Sequence, residues 1–205
     1  MKKILGQTKL RVRRKIKLLR QAYLDKFVFI HINKTGGSSV EKALGLPFEH
    51  KTALEKIEQM GRRNWNKKIT FAVVRNPWDK VVSHYHYRVK TDQTNLGNKH
   101  LDFKQWVKRT YGENDPQYYD QPMMFMPQLD WIADRDGKLL VNEIIRFENL
   151  SEEFNRLAEK LGVTATLPHV KRSNRGNYRD YYDDETQQIV ADWFAKDIKQ
   201  FDYRF

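Results

Sequence analysis

The stretch from Phe27 to Leu44 restricts this chain more than any other. Phe27-Val28-Phe29-Ile30-His31-Ile32 is dominated by aromatic and β-branched residues and then breaks at Asn33-Lys34-Thr35-Gly36-Gly37-Ser38-Ser39. Such a run predicts a buried strand. Ser38 and Ser39 are placed to cap a following helix whose apolar face is Val40, Ala43 and Leu44. The order is therefore strand, tight loop, helix N-terminus. That order aims free backbone N–H groups and the positive end of a helix dipole at one spot. Gly36 and Gly37 let an anion come close to the backbone. Lys34 adds a mobile positive charge, and Thr35, Ser38 and Ser39 add hydroxyl donors. A phosphate or a sulfate suits this chemistry; the plainer alternative is an ordinary strand-to-helix turn with a solvated lysine.

A second strand-to-helix junction follows. Ile69-Thr70-Phe71-Ala72-Val73-Val74 is a near-continuous apolar run, as expected of a parallel sheet covered on both faces. It passes into Arg75-Asn76-Pro77-Trp78-Asp79-Lys80-Val81-Val82-Ser83, where Asn76 can cap a helix that has Pro77 at its first position. Arg75 then lies at the carboxyl end of a strand, the edge at which open α/β sheets bind ligands, and Ser83 lies two turns into the helix. An arginine there suits bidentate contact with a phosphate.

Neither junction is a Walker A loop, because the lysine precedes the glycines and no Gly-Lys-Ser/Thr occurs in the loop. Lys34-Thr35-Gly36-Gly37-Ser38-Ser39 after a strand resembles the 5′-phosphosulfate loop of the sulfotransferases that use 3′-phosphoadenosine 5′-phosphosulfate (PAPS). Arg75 through Ser83 resembles their 3′-phosphate motif, an arginine at a strand end and a serine eight residues on. Phe147-Glu148-Asn149-Leu150 resembles another segment of that family, in which the acid is structural. Tyr181 to Thr186 with Phe201 to Tyr203 resembles the end of bacterial and Golgi-type carbohydrate sulfotransferases. The resemblance runs from Phe27 to the end of the chain. It implies a P-loop-like, three-layer α/β/α fold with a central, mainly parallel sheet. It also implies PAPS as donor, 3′,5′-adenosine bisphosphate (PAP) as product, and an acceptor hydroxyl on a carbohydrate or glycoconjugate. Lys34 would meet the bridging oxygen of the donor, residues 35–39 its 5′-phosphate, and Arg75 and Ser83 its 3′-phosphate. Lys171, Arg172 and Ser173, in a basic turn-rich loop, would close over the nucleotide.

An acceptor hydroxyl needs a base. His50 is the first candidate, since an imidazole titrates near neutral pH and family members carry a histidine or glutamate between the two motifs. Glu49 is the reserve, His84 and His86 are further candidates, and His31, at a strand end, reads as structural. No metal is implied, for no clustered ligand set appears.

Other segments read more simply. Thr52 and Glu55 have capping-box spacing ahead of Ala53, Leu54, Ile57 and Met60. Phe103, Trp106 and Val107 have helical spacing. Residues 112–122 form a loop that serves either as acceptor pocket or as packed surface excursion. Residues 139–148 read as a strand, Ser151 as the cap of a helix ending at Gly162, and residues near 184–199 as one helix.

A chain of 205 residues is enough for one domain. We expect it over 27–205, preceded by a basic extension over 1–26 that is helical. In that extension Lys2, Lys3, Lys9, Arg11, Arg13, Arg14, Lys15, Lys17 and Arg20 face only Asp25. It reads either as an amphipathic helix on an anionic membrane or acidic substrate, or as a solvated helix topping the domain. The net charge of +12 predicts anionic partners. The absence of cysteine and of a signal-peptide pattern fits a reducing cytoplasm, with peripheral membrane contact as one option. A small-molecule kinase and a nucleic-acid-binding protein are the competing classes. The first lacks the loop order and a magnesium carboxylate. The second leaves Arg75, Ser83 and the glycine loop unexplained, so no specific nucleic-acid partner is expected. A third reading is a degenerate family member that binds the nucleotide without catalysis.

Overall fold

A computed structural model describes residues 12, 16–98, 101–168 and 176–205. In chain order its main elements are helix α1 (16–23), strand β1 (Phe27–Ile30), α2 (Gly37–Leu44), α3 (Ala53–Met60), α4 (Arg62–Trp65), β2 (Ile69–Val74), α5 (Pro77–Lys90), α6 (Phe103–Val107), α7 (Pro122–Phe125), α8 (Leu129–Ile132), β3 (Glu143–Arg146), α9 (Leu150–Leu161), α10 (Asp184–Trp193) and α11 (Ala195–Phe201). No helix among the described residues is long and apolar enough to cross a membrane. The chain divides into two compact units. One comprises Met1–Ile32, Gly36–Val73 and Trp131–Val170, and the other Asn33–Thr35, Val74–Asp130 and Lys171–Phe205.

The first unit holds a three-stranded sheet in the order β1-β2-β3. β1 and β2 run parallel, with Phe27 opposite Ile69 and Ile30 opposite Ala72. Side chains alternate across a strand, so Phe27, Phe29, Phe71 and Val73 share one face. They pack there with Ile145 of β3, Val40 of α2, and Leu150, Phe154, Leu157 and Leu161 of α9. Val28, Ile30 and Ala72 point the other way and are also fully buried. Burial on both faces explains why these strands are apolar throughout rather than alternating.

The second unit is helical, and its core is mostly aromatic. Trp78, Val81 and Val82 of α5 pack with Phe103, Trp106, Tyr111, Tyr118, Phe125, Val190 and Phe194. The Trp78 indole N–H donates to the Gln187 carbonyl at 3.0 Å, and the Tyr182 hydroxyl donates to the Trp78 carbonyl at 2.9 Å.

Local signals hold where the partners are close in sequence. The Thr52–Glu55 capping box forms, and Asn76 caps α5 with Pro77 at its first position. Four boundaries differ from the sequence reading. α2 begins at Gly37 with Gly36 as its cap, so neither Ser38 nor Ser39 caps it. β3 covers only residues 143–146: Leu139 makes an isolated bridge to Ala133 ahead of it, and Phe147–Asn149 turns through a 3-10 segment after it, so that Asn149, not Ser151, precedes α9. The last helical stretch is two helices, broken where Phe194 leaves helical geometry and buries its ring in the aromatic core.

Candidate active site

The glycine half of the 33–39 loop belongs to the first unit, and steric fit holds it there. Gly36 has φ +84°, a conformation that L side chains rarely adopt. A methyl on it would also lie 2.9 Å from Leu150 Cδ2. A methyl on Gly37 would fall 2.0 Å from the His31 ring, so the N-terminus of α2 can pack on that imidazole only through glycine. Ser38 is exposed and Ser39 half-buried in the first turn of α2.

His31 in turn is held by Glu41 of α2, with 2.9 Å between His31 Nδ1 and Glu41 Oε1. The same oxygen accepts the Glu49 backbone N–H at 3.1 Å. His50 Nδ1 lies 2.8 Å from the His31 carbonyl oxygen. A carbonyl can only accept, so the proton sits on Nδ1 and the lone pair of the neutral ring on Nε2. The two imidazole rings are 4.3 Å apart, and Trp131 stands edge-on to His50 at 5.9 Å. Burial lowers the His50 pKa below its ordinary 6.5, opposed by the hydrogen bond to His31. Phe48 stands edge-on to both rings yet is 61% exposed. Glu49 points elsewhere. It is buried against Lys56, which also donates to Gln21 at 2.6 Å, and lies 3.6 Å from Lys51.

The lysine half belongs to the second unit, and charge holds it. Lys34 takes a left-handed backbone conformation, φ 64°, and Thr35 is fully buried. Arg75 NH1 donates to the Lys34 carbonyl at 3.0 Å, while Arg75 Nε and NH2 both reach Asp79 Oδ2, at 2.8 and 2.7 Å. Asp79, Ser83 and Tyr87 follow at four-residue steps and so form one stripe of α5. The Lys34 ammonium lies 4.2 Å from the centre of the Tyr87 ring. Ser83, half-buried, sits on the stripe between the carboxylate that holds Arg75 and the ring beneath Lys34.

The Arg75 backbone is clasped separately. Its N–H donates to Gln128 Oε1 at 2.9 Å, and its carbonyl accepts from Gln128 Nε2 at 2.8 Å. Gln128 is fully buried and is itself fixed by Asp197 of α11. That carboxylate accepts the Gln128 backbone N–H at 2.8 Å, its side-chain amide at 3.1 Å and the Leu129 N–H at 2.9 Å. Burial pushes the Asp197 carboxyl up, and these donors and Lys80 pull it back. Burial also brings the Lys80 ammonium down to about 8, with Asp197 opposing and the charges of Arg75 and Lys34 adding to the fall. Lys34, Arg75 and Lys80 thus bring three cations together, against the carboxylates of Asp79 and Asp197.

Of the other histidines, His84 is buried beside Phe125 and Trp106. Burial, then Lys80, Arg88 and Lys34, hold its pKa well below 6.5. His86 pairs with the Tyr181 hydroxyl at 2.9 Å. Glu148 is exposed beside the Phe147 turn. Lys171, Arg172 and Ser173 lie outside the described residues. Sequence reasoning missed Glu41, Asp79, Gln128 and Asp197. The four-residue step from Arg75 to Asp79 was a readable signal; Gln128 and Asp197 had none.

Comparison with known proteins bears on the family and the fold. Residues 20–204 match the model of a family described as the sulfotransferase family. An uncharacterized protein of Archaeoglobus fulgidus is 30% identical over 125 residues, which is 59% of this chain and 91% of that one. A mouse sulfotransferase, SULT7A1, solved in complex with PAP, superposes with a TM-score of 0.52 at 13% identity, over 91% of this chain and 89% of that one. A sulfotransferase from Alicyclobacillus acidocaldarius covers 88% of this chain and 97% of its own at 13% identity, with a TM-score of 0.48. The likeness to the mouse protein bears on fold alone, and it agrees with a mixed α/β, P-loop-like architecture. The chain belongs to the sulfotransferase family, whose members are PAPS-dependent transferases.

Proposed function

We propose that this protein moves a sulfuryl group from PAPS to a hydroxyl of a carbohydrate or glycoconjugate, with His50 as general base. The observation that carries the reading is the group of cations in the second unit, where Arg75 is bonded to the Lys34 carbonyl and Ser83 shares a helix stripe with Asp79 and Tyr87. The residues fit a doubly phosphorylated nucleotide. In the second unit Lys34, Arg75 and Lys80 supply positive charge and Ser83 a hydroxyl; in the first, Gly36 and Gly37 leave bare backbone at the start of α2.

PAPS supplies an activated sulfuryl group and leaves as PAP. Lys34 would meet the negative charge that grows on the leaving oxygen, and would accelerate transfer to the extent that it binds that charge more tightly than the ground state. Thr35, Gly36, Gly37, Ser38 and Ser39 would orient the 5′-phosphate, and Arg75 with Ser83 would hold the 3′-phosphate. Lys171, Arg172 and Ser173 keep the nucleotide-closing role that the family resemblance gives them. His50 would take the proton of the acceptor hydroxyl at Nε2. The Nδ1–H donated to His31 supports that tautomer, and the lowered pKa supports a neutral ring at pH 7. Glu49 is the weaker candidate because Lys56 already neutralises it. The exposed Phe48 ring beside His50 supports a ring-shaped acceptor with an apolar face, as a sugar has.

The test is titration calorimetry with PAP, 5′-AMP and ATP on wild type and Arg75→Ala. We expect PAP to bind most tightly. Each hydrogen bond to a charged group is worth about 1.5–3 kcal/mol, so the variant should lose tens- to hundreds-fold for PAP and little for 5′-AMP. ATP binding above PAP binding would replace this reading with a kinase.

A further inference from the structure

α1 turns two different faces outward and inward. Leu18, Gln21 and Ala22 face the fold, where Gln21 accepts from the buried Lys56. Ile16, Leu19 and Tyr23 follow at steps of three and four, which places them on one stripe of α1 opposite that buried side. They are 59%, 50% and 65% exposed, Leu24 just beyond the helix is 78% exposed, and Val12 is 52% exposed. Single exposed apolar residues are ordinary; five within thirteen positions, three of them in one line, form a ridge. Lys17 and Arg20 are exposed beside it, and residues 1–26 carry ten lysines and arginines against one aspartate.

We propose that this ridge docks the protein on an anionic membrane surface, with the helix lying in the plane of the interface. An apolar stripe enters the boundary between headgroups and acyl chains while flanking cations meet acidic lipids, and the two contributions reinforce one another. Charge complementarity selects this occupant over a second copy of the chain. Pairing two such ridges would bring two strongly basic segments together, whereas an anionic bilayer neutralises each. Docking is independent of the donor site, and it would present the enzyme to acceptors held at a membrane.

The experiment is vesicle co-flotation of the full chain with phosphatidylcholine alone and with phosphatidylcholine containing phosphatidylglycerol. It would use wild type, Lys17→Glu and the double variant Ile16→Ser/Leu19→Ser. Both variants change exposed positions, and an unchanged thermal shift with PAP would show the fold and donor site intact. Wild type should float with the anionic vesicles only. The ridge variant should lose about tenfold or more of that partitioning. Lys17→Glu should lose several-fold, and more at low salt than at high. Wild-type flotation equal on both vesicles, or absent, overturns the proposal. So does a ridge variant that floats like wild type, since net charge alone would then explain binding. Self-association that the ridge variant abolishes, without vesicle binding, would assign the ridge to a second copy.

Discussion

The two halves of the 33–39 loop are restrained by opposite means. Gly36 and Gly37 are held by shape: a single added methyl collides with Leu150 or His31. Lys34 is held by charge and hydrogen bonding, its carbonyl tied to an arginine that Asp79 grips with both of its reachable nitrogens. The surroundings differ in the same way. In the first unit the ionisable groups are paired off, His31 with Glu41 and Glu49 with Lys56, while His50 keeps an unprotonated nitrogen. In the second, three cations, Lys34, Arg75 and Lys80, gather with two carboxylates, Asp79 and Asp197, and burial, with the charges of Arg75 and Lys34 adding to it, brings Lys80 down to about 8. On the proposed function the second arrangement suits a polyanion, because positive charge is gathered and fixed there, and the first suits uptake of one proton, because charges are balanced around a neutral His50.

That contrast can be broken at several points. Lys34→Ala should have the largest effect, a loss of about 10²–10³ in turnover of PAPS, because removing a donor aimed at developing charge typically costs that much. Loss of PAP affinity in place of turnover would make Lys34 a binding residue only. Gly37→Ala should strike the shape-held half. Overpacking of this kind costs about 1–3 kcal/mol, and calorimetry should show Tm falling by roughly 2–4 °C for each kcal/mol in a chain of this length. An unchanged Tm would mean that His31 swings away at no cost. Gln128→Met keeps the volume but leaves both backbone polar groups of Arg75 without that partner. At about 1–3 kcal/mol per buried unsatisfied group, we expect PAP affinity to drop about tenfold with 5′-AMP affinity kept, read by calorimetry.

The smallest effect is on pH dependence. Burial lowers the His50 pKa, so the acid limb of kcat/KM should fall below 6.5. The same shift bears on stability. Between the folded pKa and 6.5 the unfolded chain binds more protons, so stability from this group rises with pH across that window and is lost as pH falls through it. A limb at or above 6.5 in the pH–rate profile would move the base away from His50.

How much of this was legible in the sequence follows from distance along the chain. The capping box at Thr52 and the Asn76–Pro77 start of α5 depend on neighbours within a turn, and both form as read. So do the two apolar strands, whose composition states their burial. The α2 cap was misplaced because what fixes the turn is the His31 ring against Gly37, a side-chain fit that no propensity reports. β3 ends early because Phe147 turns away to pack beside Gly36, more than a hundred residues earlier, and starts late because Leu139 bridges Ala133 instead. The Asp197–Gln128–Arg75 contacts span 69 and 53 residues and involve types that are usually exposed, so nothing local marks them.

Those contacts have a consequence for the order in which the molecule is made. Arg75 leaves the ribosome well ahead of the carboxylate that fixes its clasp, which sits in α11, more than a hundred residues later. A nascent chain stopped anywhere before Asp197 would carry the loop, the arginine and the serine, with Gln128 lacking its anchor. On the proposed function, nucleotide capture through Arg75 would then wait until Asp197 has been made, and chains truncated before it would bind little PAPS.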